Sequence, residues 1–147
     1  MEIVNSILTV TPIVTPYDFV WSIECNGFCI VVDPTMSLEV FEYIQTNALN
    51  FLGIIITQNK FVFESCVNEY IQHFSDIYVW GSDESNLSSI NQRVSGGQIF
   101  QLPHINKYCK ILKVYDDALD KVAFLIDYVH LFADDSIFPQ GYVRVNT

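Results

Sequence analysis

Residues 51–56, FLGIII, constrain the fold more than any other stretch of the chain. Leu52, Ile54, Ile55 and Ile56 are a run of buried-type residues of strand length. The run stops at Thr57, so a strand end delivers the polar Gln58-Asn59-Lys60 into a loop. Loops held by a rigid scaffold are where chemistry is usually presented. A helix is then predicted over residues 61–74, with Phe63, Val67, Tyr70, Ile71 and Phe74 forming one apolar stripe.

The flanking sequence extends this strand–loop–helix unit in both directions. Residues 3–10 and 18–24 read as short strands separated by breaks at Pro12 and Pro16. Asn26-Gly27 is a two-residue hairpin signal between residues 21–24 and 28–32, and Asp33-Pro34-Thr35 stops the second of those strands. A helix begins near Ser37, a suitable N-cap, with Leu38, Phe41, Ile44 and Leu49 at helical spacing. After the second helix a strand at 77–80 ends at Gly81. Residues 82–97 are rich in Ser, Asn, Gly and charge and read as loop, with Gly96-Gly97 as a turn. Strands resume at 98–102, 109–115, 122–126 and 129–133. A hairpin, then α-β-α-β, then a meander is the pattern of an α/β protein.

The 147 residues are read as a single domain over 1–147, large enough to bury a core. Half of them are hydrophobic, which excludes a disordered chain. Seventeen acidic residues against seven basic give a net charge of −10. That charge argues against nucleic acid and anionic membranes as partners, and it steers basic protein surfaces towards the chain. No apolar run approaches the ~20 residues of a membrane span, and no basic segment precedes an apolar one at the N-terminus, so a cytoplasmic location is expected. Cys25, Cys29, Cys66 and Cys109 show no metal-ligand spacing and are expected as free buried thiols, the first two on opposite strands of the hairpin.

Five segments lie in a telling order: Tyr17-Asp18-Phe19-Val20-Trp21, Val31-Val32-Asp33-Pro34, Gly53-Ile54-Ile55-Ile56-Thr57, residues 114–122 (VYDDALDKV) and residues 131–141 (LFADDSIFPQG). Together they resemble the glyoxalase II (hydroxyacylglutathione hydrolase) branch of the metallo-β-lactamase superfamily over nearly the whole chain. The resemblance implies an αββα sandwich, incomplete here at the C-terminus. It also implies a site at the sheet edge where, in the family, two metals activate a bridging hydroxide that hydrolyses a thioester.

The family's loop reads Thr-His-x-His-x-Asp-His, and this chain departs from it at every ligand. Gln58 and Lys60 stand for the first two histidines, Val62 for the aspartate and Phe63 for the last histidine. Asp117 stands at a later histidine, and Asp135 alone preserves a ligand type, the bridging carboxylate. An ammonium is no metal ligand and repels a cation, so the metal site is expected to be lost and no cofactor is expected. A rebuilt site for a hard cation from Asp116, Asp117, Asp134 and Asp135 is the competing reading. In the simpler one, Lys60 and Lys121 neutralise these carboxylates, and Lys60 lies within salt-bridge reach of Asp135 or Asp117.

His73, His104 and His130 match no ligand position and are expected in structural or surface roles. Relatives continue past the segment at 131–141 into further helix and strand and a glutathione-binding domain, whereas this sequence stops at Thr147. A sandwich of this extent leaves apolar surface to be covered, so a homodimer or a stable protein partner is expected. The resulting expectation is a non-catalytic, glyoxalase II-like pseudoenzyme acting as a protein-binding or assembly module. The alternatives are a metal-dependent hydrolase rebuilt around Asp117 and Asp135, and a small-molecule-sensing domain.

Overall fold

The structure is a computed structural model that describes residues 6–16, 18–35, 37–114 and 121–145. Asn26 and Gly27 both have positive φ (58° and 80°), the backbone that a tight hairpin with right-handed strand twist demands. They join β2 (Phe19–Cys25) to β3 (Phe28–Val32), with Cys25 opposite Phe28 and Trp21 opposite Val32. Strand β1 (Thr9–Val14) adds to the outer side of β2. Pro12 lies inside β1 opposite Trp21, which corrects the expectation of a strand over 3–10 broken at that residue. An edge strand has one side without ladder partners, so a residue lacking an N–H is tolerated there. Residues 3–5 of the predicted strand lie outside the described residues.

After β3 the chain alternates: α1 (Leu38–Thr46), β4 (Asn50–Ile55), α2 (Phe61–His73), β5 (Tyr78–Ser82). Ser37 stands at the N-cap of α1 as expected but makes no capping hydrogen bond. Strands β3, β4 and β5 pair in parallel. A short β6 (Gln92–Val94) pairs parallel to β5 within the segment expected to be loop. That segment is ordered by its own side chains: Leu87 and Ile90 are buried. Asn91 accepts from the Val79 N–H (2.8 Å) and donates to the Ile77 carbonyl (3.1 Å), serving as a ladder partner for β5. The first sheet therefore runs β1 to β6 in sequence order.

The second sheet is an antiparallel meander of β7 (Ile99–Gln101), β8 (Tyr108–Val114), β9 (Lys121–Ile126), β10 (His130–Phe132) and β11 (Tyr142–Arg144), with β11 and β7 at its edges. β11 was not anticipated, because three residues after a Pro-Gln-Gly turn carry too little periodicity to read.

Alternation along β4 explains the apolar run. Ile55 points between the sheets with Ile23, Ile30, Trp80, Ile111 and Phe124. Ile54 and Ile56 point the other way, into a second core with Val40, Ile44, Val67 and Tyr70 from the helices. A strand buried on both faces must be apolar throughout, and each such side chain contributes about 1.5–3 kcal/mol. Gly53 has a steric reason: a Cβ there would lie 2.1 Å from the Tyr78 carbonyl oxygen of β5. The four cysteines are free and buried, with Cys25 and Cys29 on opposite strands.

The second sheet lacks a helical cover among the described residues. One row across its outer face, set by strand register, runs Ile99, Lys110, Leu125, Leu131, Val143. Their neighbours Cys109, Ile111, Phe124, Ile126 and Phe132 fill the core between the sheets. No helix of the described residues is long and apolar enough to cross a membrane.

Candidate functional site

Strands β3 and β4 run parallel, so their C-terminal ends open on the same side of the sandwich. Asp33 follows β3 and Thr57 follows β4. The Asp33 carboxylate accepts the Thr57 N–H (2.8 Å), the Thr57 hydroxyl in a short bond, and more weakly the Gln58 amide at 3.5 Å. The loop after β4 is thus tied to the end of β3. Burial pushes the Asp33 carboxyl up to about 7, against the hydrogen bonds that favour its charged form, and the nearby Asp134 charge adds to the upward push.

Asp134 comes from the other sheet, just past β10. It is buried, 3.0 Å from the Lys121 ammonium, and accepts the Ser136 N–H at 2.9 Å. Lys121 also donates to the Ser136 hydroxyl (3.2 Å). Burial acts to raise the Asp134 carboxyl, but the Ser136 N–H and the Lys121 ammonium outweigh it and hold the group below the ordinary carboxylate range.

Between these two anchors the loop Gln58-Asn59-Lys60 divides the cleft into two cavities. The first, of about 400 Å³, is lined by Gln58, Lys60, Val62, Phe63 and Asp135, facing Asp18, Phe19 and Trp21. Five of the six positions singled out in the sequence therefore meet in one place, while Asp117 and Asp116 lie outside the described residues. The second cavity, of about 390 Å³, is lined by Thr57, Asn59, Lys121 and Asp134 with Ser82 and Ile90 opposite.

Similarity to known proteins follows this geometry. Over 141 residues, 95% of the chain, it is 28% identical to the hydroxyacylglutathione hydrolase of Glaesserella parasuis. Over 142 residues, 93% of the chain, it is 30% identical to that of Shewanella loihica. The fold resembles the BLEG-1 B3 metallo-β-lactamase (TM-score 0.71, 14% identity, 90% of this chain and 74% of that one). It also resembles ETHE1 from Myxococcus xanthus (TM-score 0.66, 16% identity, 90% and 58%). This chain is a glyoxalase II-like member of the metallo-β-lactamase superfamily. It spans 59% and 54% of the lengths of the two hydrolases it matches. No protein-family model matches it.

The metals of this superfamily find a poor donor set here. The described ligand positions offer an amide, an ammonium, an alkyl group, a phenyl ring and one carboxylate, and only the carboxylate is a strong metal ligand. Lys60 occupies the N-cap of α2 without a side-chain cap, where Ser, Thr, Asp or Asn would stabilise the helix. Phe61 and Val62 are 76% and 58% exposed, and Phe63 is buried. Among the described residues no three His, Cys, Asp or Glu side chains gather as a metal site requires.

Of the two partners expected for Lys60, Asp135 forms no ion pair with it, and Asp117 lies outside the described residues. Lys60 and Asp135 are both exposed, and among the described residues the cation paired with a cleft carboxylate is Lys121, on Asp134. Two solvated charges gain little by pairing and lose side-chain freedom, whereas the buried Asp134 needs a partner. Of the set proposed for a hard cation, Asp134 is thus engaged by Lys121, while Asp116 and Asp117 lie outside the described residues. The histidines stand apart from both cavities: His73 stacks on Phe41, His104 stacks on Phe28, and His130 is buried with its Nδ1 2.8 Å from the Tyr142 hydroxyl.

Sequence reasoning passed over the side chains that fix the walls. Asn59 accepts from Ser85 Oγ and the Asn86 N–H, both at 3.2 Å. Glu64 accepts from Ser88 Oγ (2.6 Å) and from the Ser88 and Ser89 N–H groups. The bonds from Ser88 and Ser89 hold the Glu64 carboxyl down to about 2. Trp21 donates its indole N–H to the Gln140 carbonyl (2.8 Å), binding the segment after β10 to β2. The one available signal was Glu64 in the first turn of a helix, where a carboxylate is favoured.

Proposed function

We propose that this chain is a metal-free, non-hydrolytic glyoxalase II-like protein that works as a protein-binding or assembly module. The donor set of the first cavity carries this reading. A metal-generated hydroxide needs ligands that hold a dication and lower the pKa of its water, and Gln58, Lys60, Val62 and Phe63 cannot do so. The reading is tested by metal analysis of purified protein together with hydrolysis of S-lactoylglutathione, with and without added zinc, iron or manganese. Substoichiometric metal and no turnover are expected. One tightly held metal per chain, or turnover above the free-metal background, sinks it.

The protein-binding part is supported by the outer face of the second sheet, which has no helical cover among the described residues and where Ile99 and Val143 are 55% and 41% exposed. A second copy of this chain, or a stable partner, is proposed to cover it. Light scattering after gel filtration decides between them: a dimer supports self-association, and a monodisperse monomer argues against it. A cytoplasmic location is proposed on the four free thiols, which suit a reducing compartment.

A further inference from the structure

We infer that the cavity beside Trp21 is a receptor for the guanidinium group of an arginine side chain presented by a basic partner. The inference rests on the metal-free reading above, because a metal there would claim Asp135.

Four observations converge on an arginine side chain of a basic partner. The walls are aromatic and aliphatic: Phe19, Trp21 and Val62 line the cavity, with Phe19 edge-on to Trp21 at 4.8 Å. Cations are drawn to such ring systems, and the weakly hydrated guanidinium loses least on leaving water. Two exposed carboxylates, Asp18 and Asp135, line the same cavity, and neither makes an ion pair among the described residues. A guanidinium can present paired N–H groups to a carboxylate while its flat face rests on a ring, a combination that an ammonium cannot reproduce. Phe61 and Val62, both exposed beside the cavity, offer apolar surface for the residues flanking the arginine. The net charge of −10 steers a basic segment towards the protein.

Lys60 makes the inference specific. It lines both cavities and is exposed, so its ammonium is a cation already at the site, competing with the incoming one. Removing it should strengthen binding. Lys107 is a matched control: its removal changes the net charge equally, but it pairs with Asp127 (3.8 Å) at the opposite end of β8 from the cleft.

The test is an NMR titration of the metal-analysed protein with the peptide acetyl-Gly-Leu-Arg-Leu-Gly-amide, read at the Trp21 indole N–H. That resonance is assigned with Trp21→Phe. Peptides carrying citrulline or lysine in place of arginine are titrated in parallel. A saturable shift is expected with the arginine peptide, and binding at least about tenfold weaker with citrulline. Asp135→Asn should weaken binding about threefold and Lys60→Gln should tighten it by a similar factor, with Lys107→Gln unchanged. Asp18→Asn replaces Asp135→Asn if the latter fails to fold by circular dichroism. Equal response to citrulline or lysine, or equal effects of Lys60→Gln and Lys107→Gln, overturns the inference. Absence of a saturable shift in metal-free protein overturns it too, and leaves the metal-free reading intact. Stoichiometric metal in the same sample overturns both.

Discussion

The two sheets treat their outer faces differently. On the first, Val31, Ile54, Ile56 and Val79 are at most 2% exposed beneath α1 and α2. On the second, Lys110, Leu125 and Leu131 are only half-buried, and Ile99 and Val143 are exposed. Parallel strands come with crossover helices that cover them, whereas an antiparallel meander needs only turns and can leave one face open. The covered sheet supplies the rigid strand ends that hold the cleft loop. The second sheet supplies the anchored Lys121–Asp134 pair and, among the described residues, an outer face without helical cover.

Core truncation should break this contrast most forcefully if it is wrong. Ile54→Ala is expected to cost about 2–5 kcal/mol in urea unfolding, while Leu125→Ala on the outer face of the second sheet costs less than about 1 kcal/mol. Equal losses would mean that the second face is buried in solution. Gly53→Ala comes next, because its Cβ would collide with the Tyr78 carbonyl. Parting β4 from β5 should cost about 1–3 kcal/mol, measurable as a lower midpoint with an unchanged m-value.

Across the cleft, two lysines sharpen the comparison. Lys121→Met leaves the buried Asp134 without its cation and should cost about 2 kcal/mol, whereas Lys60→Met on the exposed loop should cost less than about 0.5 kcal/mol. A reversed order would restore Lys60 as the structural cation of the site.

A pH dependence offers an independent check on the same cleft. Asp33 rises from 3.8 to about 7 in the folded protein, so the native state holds its proton more tightly than the unfolded chain does. Its contribution to stability is fully present below about pH 4 and is lost as pH climbs to about 7. The melting temperature of the wild type relative to Asp33→Asn should therefore fall across that window. A constant difference would mean that the carboxyl is not held in the buried state described.

Legibility in the sequence followed the range of the interactions. The hairpin at Asn26-Gly27, α2 and the run at 52–56 were readable because turn chemistry and periodicity are local signals. Strand β6 was not, since the Asn91 contacts to Ile77 and Val79 that order its approach bridge residues far apart in the chain. In the site, the positions Gln58, Lys60, Val62, Phe63 and Asp135 could be named from the resemblance, and they do line one cavity. Lys121 could also be named as a neutralising cation, and it does pair with Asp134. Lys60, read as within reach of Asp135 or Asp117, forms no ion pair with Asp135, and Asp117 lies outside the described residues.

The sequence by itself determined the α/β order, the apolar core and the side-chain chemistry at Gln58, Lys60, Val62 and Phe63, because side-chain chemistry is written residue by residue. Only the tertiary structure decided which carboxylate each lysine meets, which sheet face lacks helical cover among the described residues, and that Asp18, Trp21 and Asp135 share one cavity. Burial sets the energetic value of a charge or an apolar surface, and burial exists only once distant segments have packed together.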